Sequence, residues 1–237
     1  MQQHIESVRS SAGRIAAALR TGSFDAPVRA CPGWDLAELG RHIGFIHRWA
    51  RLAAVTGAAP DAATIEAPPA PDGLADWVEA GARALTDVFV DLDPEAPTWH
   101  PFPVPLVAGV WPRRQAQETL IHAWDAEDAV GTAGPLDPAI AADGIDEYFG
   151  VMIPRLMSRT GRTCPAGVVA VRCTDTGTRV VAASADGTSV ALAPDAAAEV
   201  EIVGRAEDVL LALWGRRPLA AAPAHPLAAA WLAFGGN

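Results

Sequence analysis

Glu118 and His122 stand four residues apart in a stretch that reads as a helix, Trp111-Pro112-Arg113-Arg114-Gln115-Ala116-Gln117-Glu118-Thr119-Leu120-Ile121-His122-Ala123-Trp124-Asp125. Side chains at i and i+4 point the same way, so this carboxylate and imidazole can share one divalent metal ion. At ~100° per residue, Arg114, Gln115 and Asp125 fall within roughly 60° of Glu118. Taken alone, Glu-x-x-x-His describes a solvated polar face as well as it describes a metal site.

A third donor comes from another predicted helix. His42 falls three residues after Leu39 and four before Ile46, within an apolar stripe of Leu39, Phe45, Ile46, Trp49 and Ala53. An imidazole on an inward face needs a partner. That partner is either a carbonyl or carboxylate of the core, or a metal ion shared with Glu118 and His122. Two histidines, one carboxylate and an open position make a catalytic rather than a structural zinc set, although the same donors also take Fe(II). Water in the open position would make a hydrolase. A thiol there would become a thiolate nucleophile at neutral pH. Asp125, one turn past His122, could orient a ligand or move a proton; the alternative is a surface carboxylate.

Other reactive side chains carry less. His47 lies about 140° round the helix from His42 and reads as a solvated residue. His100 sits in a loop rich in proline and glycine, as a pocket wall or part of an ordered crossover. Cys31 lies just ahead of a helix N-terminus, but no histidine is fixed beside it, and no nucleophilic role is assigned. Arg205, Arg216 and Arg217 bracket a late helix and would reach an anionic substrate or simply face solvent. There is no H-E-x-x-H, G-x-S-x-G or Walker sequence. All 18 basic residues are arginines, which removes Schiff-base and P-loop lysines.

These groups must be held by definite elements. Ile5, Val8, Ala12, Ile15 and Leu19 give a first helix over 3–21, stopped at Gly22. Asp35 is an N-cap with Glu38 three residues on, as in a capping box, and Trp34 and Leu39 are placed as a hydrophobic staple. That second helix runs to Gly57. Residues 58–71 form an Ala/Pro-rich linker, and a third helix covers 72–92. The fourth, carrying Glu118, has Pro112 at its first position. Four apolar stripes are most simply buried in a bundle. After Gly131–Leu136 the character changes. Asp137-Pro138 opens a fifth helix to Thr160, kinked at Pro154. Strands follow at Val168–Cys173, Val180–Ala183, Val190–Leu192 and Val200–Val203, joined by turns at Asp175-Thr176-Gly177 and Asp186-Gly187. A helix over Ala206–Trp214 ends at Gly215. The reading is an α+β chain, with a helical bundle at 1–133 and a smaller domain with a mostly antiparallel sheet at 134–237.

With 237 residues the chain needs no disulfide staples. A net charge of −10 argues against a general nucleic-acid or anionic-membrane binder. Three cysteines without a C-x-x-C pair fit a reducing cytoplasm. The N-terminus lacks an apolar signal segment, and no run of 18 apolar residues occurs, so neither a signal peptide nor a membrane span is expected.

Three motifs carry a resemblance. Cys31-Pro32-Gly33-Trp34-Asp35-Leu36, with Leu39 and Arg41-His42-Ile43-Gly44, resembles the opening motif of the mycothiol-dependent maleylpyruvate isomerase family. Arg114, Glu118, His122, Trp124-Asp125 and Ala129 resemble its second motif. Glu199–Gly204, Ala206-Glu207-Asp208, Leu210 and Trp214-Gly215-Arg216 resemble its C-terminal domain. The resemblance implies a DinB-like four-helix domain, one zinc ion per chain on His42, Glu118 and His122, and mycothiol, an actinobacterial thiol, as cosubstrate. It also implies cis–trans isomerisation by thiolate addition and elimination, with a C-terminal arginine binding substrate carboxylates; Arg216 is the candidate. The family also includes thiol S-transferases. The substrate, the cofactor-binding residues and the choice between monomer and homodimer stay open, and a metal hydrolase or a non-catalytic binding module on the same fold are the alternatives.

Overall fold

The computed structural model describes residues 1–235. The chain divides into two compact units. One comprises Met1–His100 and Pro105–Gly134, and the other Pro101–Val104 with the chain from Pro135 onward.

The first unit is a four-helix bundle of α1 (Gln2–Thr21), α2 (Leu36–Thr56), α3 (Leu74–Val90) and α4 (Val110–Ala129). Helix α1 packs on α3 and α4, and α2 packs on the same two. The ends of α2 follow the sequence signals. Asp35 accepts the Glu38 N–H at 2.7 Å, and Gly57 closes the helix at φ 66° with its N–H on the Ala53 carbonyl. The linker contains short 3-10 turns at Ala62–Thr64 and Pro71–Gly73, the second of which replaces the first turn expected of α3. Helix α4 starts at Val110 rather than at Pro112. Pro112 is then third in the helix, still within the first turn, where a missing N–H costs nothing.

The stripe that α2 buries differs from the one expected. Its buried residues include Leu36, Leu39, Gly40, Ile43, Gly44, His47, Ala50 and Ala53. Glycine and alanine carry little hydrophobic signal, yet here they let helices approach. A Cβ on Gly44 would lie 2.1 Å from Cε3 of Trp77 on α3. His42, Phe45, Ile46 and Trp49 therefore form a half-buried flank beside this stripe, and His47 sits inside it.

The second unit is α+β. Helix α5 (Pro138–Glu147) passes through a π-helical turn, Tyr148–Met152, into α6 (Ile153–Thr160). Pro154 accounts for the break, since it has no N–H to donate and its ring crowds the preceding turn. Strands β1 (Gly167–Cys173), β2 (Arg179–Ser184), β3 (Ala191–Leu192) and β4 (Val200–Gly204) form one sheet in the order β3-β2-β1-β4. The β1–β2 and β2–β3 pairs are antiparallel, whereas β4 lies parallel to β1, with Val171 opposite Ile202. Helix α7 (Ala206–Leu213) packs against α5 and the sheet. Helix α8 (Pro226–Phe234), which the sequence reading did not assign, packs against α7, β1 and β4. Trp231, fully buried, anchors it. No helix among the described residues is long and apolar enough to cross a membrane.

Candidate metal centre

Helix α4 brings its polar residues inward rather than to water. Arg114, Gln115 and Asp125 are 4%, 3% and 2% exposed, which rules out the solvated-face reading. Buried charge is costly unless paired, and here the charges are paired with one another.

Helices α2 and α4 bring His42, Glu118 and His122 together. One ligand atom from each lies within 4.8 Å of the other two. Oε1 of Glu118 is 3.0 Å from Nε2 of His42 and 3.6 Å from Nε2 of His122. Its other oxygen, Oε2, accepts from Arg114 Nη2 at 3.1 Å. The guanidinium thus turns the carboxylate so that Oε1 faces the two imidazoles. Burial opposes ionisation of Glu118, but the His42 hydrogen bond and the neighbouring Arg114 charge outweigh it and hold the carboxyl well below the usual range.

Asp125 lies behind His122. Its Oδ2 is 3.0 Å from Nδ1 of His122, which leaves Nε2 directed at Glu118. A carboxylate on the far nitrogen fixes the tautomer and raises the basicity of the near one.

The loop before α2 contributes two further groups. The Trp34 N–H donates to the Cys31 carbonyl at 2.9 Å, with Pro32 and Gly33 between them and Gly33 at φ 86°. This is a type II turn, which takes proline first and glycine second. Both ends of the turn reach the site. Sγ of Cys31 is 4.0 Å from Asp125 Oδ2, and Cys31, His122 and Asp125 form a second group close enough to hold a cation. The Trp34 ring stacks on His122 at 5.9 Å and 22°, and tilts against His42 at 4.8 Å. Sequence reasoning placed Trp34 only as a helix staple and gave Cys31 no role. The signal was present in Cys31-Pro32-Gly33-Trp34, a turn whose geometry aims both flanking side chains.

Two histidines lie elsewhere than expected. His47 is not solvated: it is fully buried, with Nε2 3.0 Å from Thr119 Oγ1. It lies four residues past Ile43 and three before Ala50, on the stripe α2 buries. His100 is 3% exposed and donates through Nε2 to the Pro105 carbonyl at 2.9 Å, so it ties an ordered loop. In the second unit, Arg217 pairs with Glu207 at 3.2 Å and with Asp208. Arg205 lies 3.9 Å from Asp175. Arg216 donates to the Trp214 carbonyl at 2.9 Å.

Known proteins agree with this arrangement. Residues 6–127 match the mycothiol maleylpyruvate isomerase N-terminal domain, and residues 139–233 match the C-terminal domain of the same proteins. The chain belongs to the mycothiol maleylpyruvate isomerase family. Two crystal structures share its fold. A mycothiol-dependent maleylpyruvate isomerase aligns with a TM-score of 0.57, and a histidine-to-alanine variant of it with 0.59. Each is 13% identical, and the alignments cover 91% of this chain and 89% of the other. No curated protein sequence matches the chain.

Proposed function

We propose that this family member is a metal- and thiol-dependent enzyme of the maleylpyruvate isomerase type, with His42, Glu118 and His122 holding one zinc ion. The observation that carries this reading is the convergence of three donor atoms from two helices within 4.8 Å. Two imidazoles and one carboxylate suit zinc and leave a coordination position open. The buried, ion-paired polar face of α4 is also a costly arrangement for a purely structural helix.

Zinc bound there supplies a Lewis acid that lowers the pKa of a thiol entering the open position. The protein's own groups do the positioning. Arg114 orients Glu118, Asp125 orients His122, and the Trp34 ring packs against both imidazoles. With mycothiol as cosubstrate, the thiolate adds to one carbon of a cis double bond conjugated to a carbonyl, and the electron pair moves to the carbonyl oxygen. The former double bond is then single and rotates. Return of the electron pair expels the thiolate and leaves the trans isomer, so the thiol is regenerated. Asp125 is the candidate for moving or holding a proton near the site, and Arg216 for binding a substrate carboxylate. The site serves a small electrophile and a low-molecular-weight thiol.

Plasma mass spectrometry of the folded protein tests the metal. About one zinc per chain, lost in His42→Ala and Glu118→Ala variants that still fold, is the expected result. No metal after reconstitution with excess zinc would overturn the proposal. Thiol stoichiometry then tests the reaction: catalytic thiol marks an isomerase, one thiol consumed per product an S-transferase, and turnover with no thiol a hydrolase.

A further inference from the structure

The second unit contains a cavity of about 170 Å³ that the proposed metal chemistry does not use. An engineered cavity of roughly 150 Å³ holds benzene, so this volume suits a body the size of one ring. Tyr148 and Trp214 line it, their ring centroids 5.1 Å apart at 83°. Arg155, Arg159 and Arg162 also line it, and no carboxylate does among the described residues.

In a chain of net charge −10, three guanidinium groups at one cavity are unexpected. Their spacing, i, i+4 and i+7 along and just past α6, puts them in one row. Two are steadied by carbonyls, which fix position without cancelling charge. Arg155 donates to the Pro101 carbonyl at 2.6 Å, and Arg162 to the Phe234 carbonyl at 3.1 Å. Arg162 also lies 4.6 Å from the centroid of the Phe234 ring. Arg159 has no carboxylate partner among the described residues. Tyr148 comes from the π-helical turn, a feature that recurs at functional sites. An apolar recess with a few placed cations is the usual build of a small-molecule site, and guanidinium is the side chain best suited to a carboxylate.

We propose that this cavity binds a small monocarboxylate with a ring-sized apolar body. The ring would lie against Tyr148 and Trp214, and the carboxylate on Arg159 and Arg162. This site is separate from the metal reading and does not rest on it.

Isothermal titration of the full, zinc-loaded chain with benzoate tests it. One saturable site is expected, with acetate and benzyl alcohol each binding far more weakly, because one lacks the ring and the other the charge. Arg159→Ala and Arg162→Ala should each weaken benzoate by about tenfold, and the double variant should abolish binding. Both arginines are exposed, so circular dichroism should show the variants folded. Glu118→Ala should bind benzoate as the parent does. The proposal is overturned if benzoate does not bind, if acetate binds equally well, or if the double arginine variant binds unchanged. Loss of binding in Glu118→Ala alone would also overturn it, by locating the anion in the bundle. Phenyl phosphate binding more tightly than benzoate on the same arginines would overturn the carboxylate assignment.

Discussion

Oδ2 of Asp125 lies 3.0 Å from Nδ1 of His122, and the same oxygen is 4.0 Å from Sγ of Cys31. One buried oxygen therefore links the imidazole of the proposed centre to the turn that carries Trp34. An outer carboxylate of this kind typically accounts for about 10–100-fold in metal affinity. Asp125→Asn keeps the shape but presents an amide, and should weaken zinc binding by that factor with little loss of fold. Competition against a chromophoric chelator measures it. An unchanged affinity would make Asp125 a structural residue only.

His47 gives a pH dependence of definite sign. Its burial pushes the imidazole pKa down to about 4. Between the unfolded value of about 6.5 and that folded value, the unfolded chain takes up a proton that the folded chain refuses. Stability should therefore fall as pH drops through this window, by about 3 kcal/mol at its lower end, and this contribution should level off below it. The depressed Glu118 carboxyl acts in a lower window. Its contribution is complete above its unfolded pKa of about 4.5 and is lost only as pH falls below that. Urea midpoints at pH 7.5, 6 and 5 check the first effect. His47→Gln should flatten that slope while lowering stability at pH 7.5.

Gly44 tests the close approach of α2 and α3. Alanine gains about 1 kcal/mol in helix propensity, but its Cβ would sit 2.1 Å from a Trp77 ring carbon. Trp77 is 7% exposed, with the Arg48 guanidinium 4.1 Å from its ring centroid, so the ring has little room to yield. Overpacking should win, and Gly44→Ala should cost about 2–3 kcal/mol net. Adding Trp77→Ala should make the glycine substitution nearly harmless. Thermal melts of the four proteins in this double-mutant cycle give the coupling directly.

Much of this was readable in advance because it rests on local chemistry. Asp35 and Gly57 are end signals with a mechanism, and α2 stops where they stand. Glu118 and His122 meet because a helix repeats every 3.6 residues, and His42 joins them from a second amphipathic helix. The misreadings have physical causes too. The buried stripe of α2 contains Gly40, Gly44 and Ala50, which weigh little in a hydrophobic pattern, so the stripe was rotated and His47 misplaced. Helix α8 is short and apolar nearly all round, and it is capped by His225, whose ring accepts the Leu227 N–H at 3.3 Å. Imidazole is not among the usual capping groups, so nothing marked its start. A strand pattern gives faces but not direction, and the parallel setting of β4 on β1 depends on how the chain crosses the sheet.

The π-helical turn at Tyr148–Met152 also sets a phase. Each residue advances a helix by about 100°, so one residue more or fewer before α6 rotates everything after it by that angle. Arg159 and Arg162 share a cavity with Tyr148 only in the present register. Deleting a single residue from this turn would carry the arginine row off the rings while leaving the sequence on either side intact. Within a family that shares this fold, length at one helical turn is thus a means of divergence: an insertion or deletion there can install or erase an anion site in one step, without touching the three metal donors of the bundle.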